Sequence, residues 1–237
     1  MSAARAIVAL DVPGAREAAA LVERLGQACD FVKVGSELFT AAGPQVVSEM
    51  RHGGGARDRD VFLDLKYHDI PNTVRSAAKR AAALGARLIT VHASGGRTMM
   101  EAAVEGAGER CGVFAVTVLT SLDATALGEA WGREVEDVEG EVLRLAELAR
   151  SAGVRGIVCS GVEAAAVRAR HSRALEILVP GVRLAGSGAH DQKRVVTPGG
   201  AASAGATYVV VGRTVTEDAD PRGALERVRA ELLASPS

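Results

Sequence analysis

The stretch Val61-Phe62-Leu63-Asp64-Leu65-Lys66-Tyr67-His68-Asp69-Ile70-Pro71-Asn72-Thr73 opens as an apolar run and then sets two acids and a lysine within six residues. An extended segment over 61–66 projects Asp64 and Lys66 to one face, because strand side chains alternate with period two. The two would then share a pocket. Asp69 falls beyond the strand, ahead of a proline that opens a helical stretch, so its carboxylate is free to point elsewhere, toward another subunit included. The plain alternative is a surface ion pair at a strand terminus, since most such pairs are only structural.

Outward from this run, short β-rich segments alternate with alanine-rich amphipathic ones. Eight strands are predicted: Ala6 to Leu10, Phe31 to Val34, Val61 to Lys66, Leu88 to Val91, Val113 to Leu119, Gly156 to Cys159, Glu176 to Val179 and Tyr208 to Val211. Helices are expected at 15–26, 43–51, 72–84, 96–107, 136–151, 161–170, 198–204 and 221–234. Unbroken apolar runs such as Val8-Ala9-Leu10 and Val209-Val210-Val211 suit strands buried on both faces, as in a parallel sheet. Eight strand-helix units in 237 residues predict an α/β fold, a compact (β/α)8 TIM barrel forming a single domain over 1–237. His52 to Asp60 reads as a solvated loop under the N-terminal face of the barrel. Leu122 to Arg133 reads as an insertion after strand five that carries a short helix near the mouth.

Composition narrows the function. The chain is 48% hydrophobic but only 3% aromatic, with a formal charge of −1. It therefore offers neither a stacking platform nor a cationic surface for nucleic acid. Cys29, Cys111 and Cys159 are odd in number and far apart, and read as buried free thiols in a reducing cytoplasm. The first residues have no signal-peptide core, and no apolar run reaches membrane-spanning length. A soluble cytoplasmic protein with no membrane partner is expected.

The polar residues that interrupt the apolar runs fall at the C-terminal ends of the strands, where barrel active sites are built. Asp11 ends strand one, Lys33 lies in strand two, Asp64 and Lys66 end strand three, and Thr120 and Ser121 follow strand five. Arg183 and Gln192 follow strand seven, and Gly212 and Arg213 follow strand eight. Gly212-Arg213 suits an anion: glycine admits a close backbone amide and arginine adds a bidentate donor. The connection from Pro180 to Thr197, with Gly181, Gly186 and Gly188, has the glycine content of a lid. His92, after strand four, reads as a structural histidine, and His68 and His190 as a spacer and a lid residue.

The motif Asp-x-Lys-x-x-Asp at Asp64, Lys66 and Asp69, continued by Ile70-Pro71-Asn72-Thr73, resembles that of the orotidine 5'-phosphate decarboxylase family. The resemblance covers nearly the whole chain. It extends to Leu10-Asp11, Val32-Lys33-Val34-Gly35, Leu119-Thr120-Ser121, Pro180-Gly181-Val182-Arg183, Asp191-Gln192-Lys193-Arg194 and Val211-Gly212-Arg213. It implies decarboxylation of orotidine 5'-phosphate to uridine 5'-monophosphate, the last step of its synthesis, with no metal and no cofactor. Lys66 would stabilise and protonate the C6 carbanion within a network of Lys33, Asp64, Lys66 and Asp69. The resemblance places Asp11 and Lys33 at the ribose, Thr120 and Ser121 at the pyrimidine edge, and Gln192 between base and phosphate. Arg183, Arg213 and the Gly212 amide grip the phosphate, and Asp64 and Pro180 complete the substrate-binding set. Asp69, Ile70 and Thr73 are expected to reach into the neighbouring subunit's site, which makes the protein a homodimer with shared active sites.

Two rival readings remain. Metal-dependent phosphosugar decarboxylases and aldolases of the same superfamily share the motif, but resemblance to them implies an acid on strand two to hold Mg2+, where this chain has Lys33. A barrel that binds uridine 5'-monophosphate without turnover would need the phosphate grip but not the Asp-Lys-Asp array.

Overall fold

The alternation of apolar β-runs with amphipathic helices is realised along the chain in the computed structural model, which describes residues 3–53, 58–184 and 196–234. Strand β1 (Arg5–Ala9) leads into α1 (Ala15–Leu25), and β2 (Phe31–Gly35) into α2 (Ser36–Ala42) and α3 (Gln45–His52). Next come β3 (Asp60–Tyr67), α4 (Pro71–Ala83), β4 (Leu88–His92) and α5 (Arg97–Ala107). They are followed by β5 (Gly112–Val116), α6 (Ala124–Trp131), α7 (Val138–Ser151), β6 (Gly156–Val158) and α8 (Ala164–His171). The chain continues through β7 (Glu176–Val179), α9 (Pro198–Ser203), β8 (Tyr208–Val211), α10 (Arg213–Thr216) and α11 (Pro221–Ala234). Neighbouring strands are parallel, and β1 pairs with both β2 and β8, closing an eight-stranded (β/α)8 barrel.

Two apolar shells hold the barrel. Outward-facing strand residues such as Val8, Val32, Leu63 and Ile89 pack against the helices, which contribute Leu21, Val47, Met100 and Leu225. Inward-facing residues form a separate cluster in which Tyr208 meets Phe31 and Phe114 edge-on, with ring centroids 5.9 and 5.8 Å apart. Edge-to-face geometry is the favoured one for aromatic quadrupoles. Below them Arg5 pairs with Asp60 at 2.9 Å and Arg155 with Glu176 at 2.9 Å. These half-exposed pairs close the N-terminal rim.

The inward apolar layers leave the charged residues only at the two ends of the barrel. Space in the middle is tight at Gly156, which pairs with Phe114 on one side and Glu176 on the other. A Cβ there would stand 2.5 Å from Phe114 Cε1 and 2.4 Å from the Glu176 carbonyl oxygen.

Several elements depart from the sequence reading. Strand five stops at Val116 rather than Leu119, and the chain turns away with the Thr117 hydroxyl donating to the Val158 carbonyl at 2.8 Å. Helix α2 follows β2 directly and α10 follows Gly212 directly; neither was expected. The helix expected in the insertion is α6, whose first turn is capped by Asp123 accepting from the Ala126 amide at 3.0 Å. Gln192, Gly186, Gly188, His190 and the middle of the 52–60 segment lie outside the described residues. Cys29, Cys111 and Cys159 are buried free thiols, and burial pushes Cys29 and Cys111 up to about 12, which leaves them inert near neutral pH. Among the described residues no helix is long and apolar enough to cross a membrane.

Gly156→Ala is expected to lower stability by about 1–3 kcal/mol, because backbone and ring both resist the added carbon. The urea midpoint measures it, and an unchanged midpoint contradicts this packing.

Candidate active site

The strand register that buries Phe62 and Leu88 also determines which polar residues point inward near the barrel mouth. Ala9 pairs with Lys33, Lys33 with Phe62, and Gly35 with Asp64, so all of these share the inward face. Above the apolar layers opens a cavity of about 850 Å3. Its floor is Ala9, Val116, Val158 and Val210, and one wall carries Asp11, Lys33, Asp64 and Lys66. The opposite side is built by Thr120 after β5, by Pro180 to Arg183 after β7, and by Gly212 and Arg213 after β8.

The four charges on the wall alternate in sign. Lys33 Nζ donates to Asp11 Oδ1 at 2.8 Å and lies 3.9 Å from Asp64 Oδ2. Lys66 Nζ donates to both oxygens of Asp64 at 2.9 Å. The Asp64 and Lys33 side chains are only 12% and 11% exposed, which rules out a solvated surface pair. Burying such groups is costly unless every charge is compensated, and here each ammonium has a carboxylate beside it.

Lys66 reaches this position by a route that simple alternation does not describe. On β3, Leu63 pairs with Ile89 and Tyr67 with Val91, so three residues of β3 oppose the single residue Thr90 of β4. The bulge carries Lys66 into left-handed backbone, φ 49°, one of two non-glycine residues with positive φ among those described. That conformation costs a residue with a Cβ about 1–2 kcal/mol. Thr90 sits across from the bulge, fully buried, and bonds twice to it. Its Oγ1 donates to Asp64 Oδ1 at 2.8 Å and accepts the Lys66 amide at 2.9 Å.

Gly35, inward at the end of β2, gives the Lys33 ammonium its space. A Cβ there would stand 2.8 Å from Lys33 Nζ and 3.2 Å from Asp11 Oδ1. Sequence reasoning assigned no role to Thr90 or Gly35. Gly35 entered only as the last residue of the Val32-Lys33-Val34-Gly35 match, and Thr90 is singled out by its inward register opposite the charged residues.

Not every expected residue joins the cavity. Ser121 is exposed and outside the lining, whereas Thr120 is within it. Asp69, Ile70 and Thr73 stand exposed around the first turn of α4, with Ile70 68% exposed and the Asp69 carboxylate accepting the Ile70 amide at 2.6 Å. The Asp-Lys-Asp-Lys series on the cavity wall therefore contains Asp11 in place of the anticipated Asp69. Gln192 lies outside the described residues, but the ends of its segment are tied together. Val182 and Val196 form a parallel bridge, and the Arg183 amide donates to the Val196 carbonyl at 3.0 Å. His92 is partly buried with its ring 5.4 Å from that of His68. Burial holds its pKa below the ordinary histidine value, aided by His68 and Lys66 and opposed by Asp64, so it is neutral at pH 7.

The family model for the orotidine 5'-phosphate decarboxylase/HUMPS family matches residues 4–228. The chain belongs to this family. An orotidine 5'-phosphate decarboxylase of Halorhodospira halophila is 48% identical over 234 residues, covering 98% of this chain and 97% of that protein. One from Anaeromyxobacter dehalogenans is 50% identical over 228 residues, covering 96% and 98% of the two chains. Among solved structures, the orotidine 5'-phosphate decarboxylase of Lactobacillus acidophilus superposes with a TM-score of 0.86 at 35% identity, covering 98% of this chain and all of that one, 100%.

Gly35→Ala is expected to leave the melting temperature within a few degrees of wild type, since a flexible lysine tip can yield, while weakening uridine 5'-monophosphate binding about tenfold. Calorimetry reads the binding, and unchanged affinity contradicts the role given to this glycine.

Proposed function

We propose that the chain decarboxylates orotidine 5'-phosphate to uridine 5'-monophosphate and CO2, without metal or cofactor. The observation that carries this reading is the Lys66 ammonium, held by both oxygens of a nearly buried Asp64 inside a cavity whose second strand supplies Lys33. Departure of CO2 leaves an electron pair in an in-plane orbital at C6, where the pyrimidine π system cannot delocalise it. Catalysis must lower the barrier by on the order of 20 kcal/mol. A fixed cation beside C6 meets that need, since preorganised charge in a water-poor site is worth far more than in solution.

The step balances within the site. The C6–carboxylate bond breaks with its electron pair remaining on C6, CO2 leaves, and a proton from Lys66 Nζ completes the C6–H bond. The neutral amine then regains a proton from solvent. Asp64 keeps the ammonium aimed, and its own charge stands near the substrate carboxylate, a repulsion relieved as CO2 departs. Asp11 and Lys33 hold the ribose, and Thr120 meets the base with Ser121 beside it. The phosphate sits at Arg213 and the Gly212 amide with Arg183, next to the opening turn of α10. Pro180 lines the pocket, and Gln192 bridges base and phosphate. Binding energy from that remote dianion then appears as rate.

Asp69, Ile70 and Thr73 complete the site of a second copy, and the protein works as a cytoplasmic homodimer. An isoleucine exposed to 68% between two polar residues that face away from their own cavity supports this arrangement. The metal-dependent alternative is disfavoured by Lys33, whose ammonium stands 2.8 Å from Asp11 and 3.9 Å from Asp64, where it would repel a divalent cation.

Loss of the ultraviolet absorbance of orotidine 5'-phosphate in the presence of EDTA tests the reading. No decay overturns it, and decay only with added Mg2+ favours the metal-dependent alternative. Lys66→Ala is expected to lower turnover at least about a thousandfold with product binding still measurable; retention of a tenth of the activity removes Lys66 from its role. Mixed subunits carrying Asp69→Ala and Lys66→Ala are expected to regain activity, because a hybrid dimer holds one intact site. A dead mixture with proven heterodimers contradicts the shared site.

A further inference from the structure

We infer that Thr90 is a positioning residue for the decarboxylation, setting both the Asp64 carboxylate and the backbone that aims Lys66. The inference rests on the function proposed above. Thr90 has one hydroxyl proton and lone pairs to accept with. The Lys66 amide can only donate, and it approaches Oγ1 at 2.9 Å, so the hydroxyl proton is directed to Asp64 Oδ1 at 2.8 Å. One side-chain oxygen thus links two of the charged residues through different parts of each: the carboxylate of Asp64 and the main chain of Lys66.

The bulge explains why a side chain is needed here. With residues 64–66 opposite Thr90 alone, β3 and β4 lose their regular pairing between Leu63 and Tyr67. The Lys66 amide instead finds its acceptor in a side chain of the neighbouring strand. That bond helps hold Lys66 at φ 49°, a conformation unfavourable for a residue with a Cβ. If it is lost, the backbone relaxes toward ordinary extended geometry and the base of the Lys66 side chain swings. The Asp64 Oδ1 keeps the Lys66 ammonium but loses the donor that ties it to β4, so the carboxylate is free to turn with the lysine. Both changes displace the ammonium from the reacting carbon, while the phosphate contacts, made after β7 and β8, are left in place.

The substitution that keeps the volume and removes only the bonds is Thr90→Val; Thr90→Ser keeps both bonds and removes a methyl group. With orotidine 5'-phosphate as substrate, Thr90→Val is expected to lower kcat at least tenfold with KM within threefold of wild type, and Thr90→Ser to retain kcat within threefold. A loss in Thr90→Val smaller than tenfold overturns the inference. So does an equal loss in Thr90→Ser, which would mark a packing role. If Thr90→Val does not fold, Thr90→Ala takes its place under the same thresholds. Wild-type protein in the same assay separates the two levels: no turnover by wild type defeats the proposed function, whereas normal wild-type turnover beside an unaffected Thr90→Val defeats only the role of Thr90.

Discussion

The two hydrogen bonds from Lys66 Nζ to the carboxylate oxygens of Asp64, each 2.9 Å, are the interaction on which the rest of the site depends. They compensate the nearly buried Asp64 carboxylate, which would be costly to bury alone, with an ammonium that still reaches the open cavity. Every neighbouring feature adds a constraint to that pair. Lys33 brings a second cation within 3.9 Å of Asp64 and carries the chain on to Asp11. Thr90 occupies Oδ1 of the carboxylate, and Gly35 leaves the space into which Lys33 folds. A site so connected is preorganised: the charges are fixed before substrate arrives, and no solvent reorganisation is needed during the reaction.

The barrel makes this possible by separating duties along its axis. Phe31, Phe114 and Tyr208 fill the lower interior and ion pairs close the floor, so stability rests on packing that does not touch the chemistry. The charged wall occupies the layer above, on residues of the same inward register. At the mouth, local strain falls on the β3 bulge and Lys66. Backbone strain of this kind persists only where the surroundings over-determine it, and here the barrel closure on one side and Thr90 on the other do so.

Much of this was legible in the sequence. The eight apolar runs predicted the barrel, and the position of each polar residue just past an apolar run placed Asp11, Lys33, Asp64, Lys66, Thr120, Arg183 and Arg213 at one mouth. What escaped has specific physical reasons. Period-two alternation put Asp64 and Lys66 on one face but is blind to a bulge, since inserted residues leave the composition of a strand unchanged. Thr90 within Leu88-Ile89-Thr90-Val91 looks like any β-branched residue of a buried strand, and only the register with β3 shows what its hydroxyl meets. Helix α2 begins without a break after β2 and is only 7 residues long, too short for a clear helical period. Asp69, Ile70 and Thr73 belong to the motif by spacing, yet the backbone turns them out of the cavity, and spacing alone cannot show which way a residue just past a strand end faces.

The central claim is that the Asp64 charge, rather than its shape, holds Lys66 in place for catalysis. Turnover of orotidine 5'-phosphate by Asp64→Asn, compared with wild type at matched circular dichroism and melting temperature, tests it most directly. The account predicts a fall in kcat of at least about a hundredfold, because the amide keeps the volume but cannot accept from the ammonium on both sides. A kcat within tenfold of wild type would contradict it.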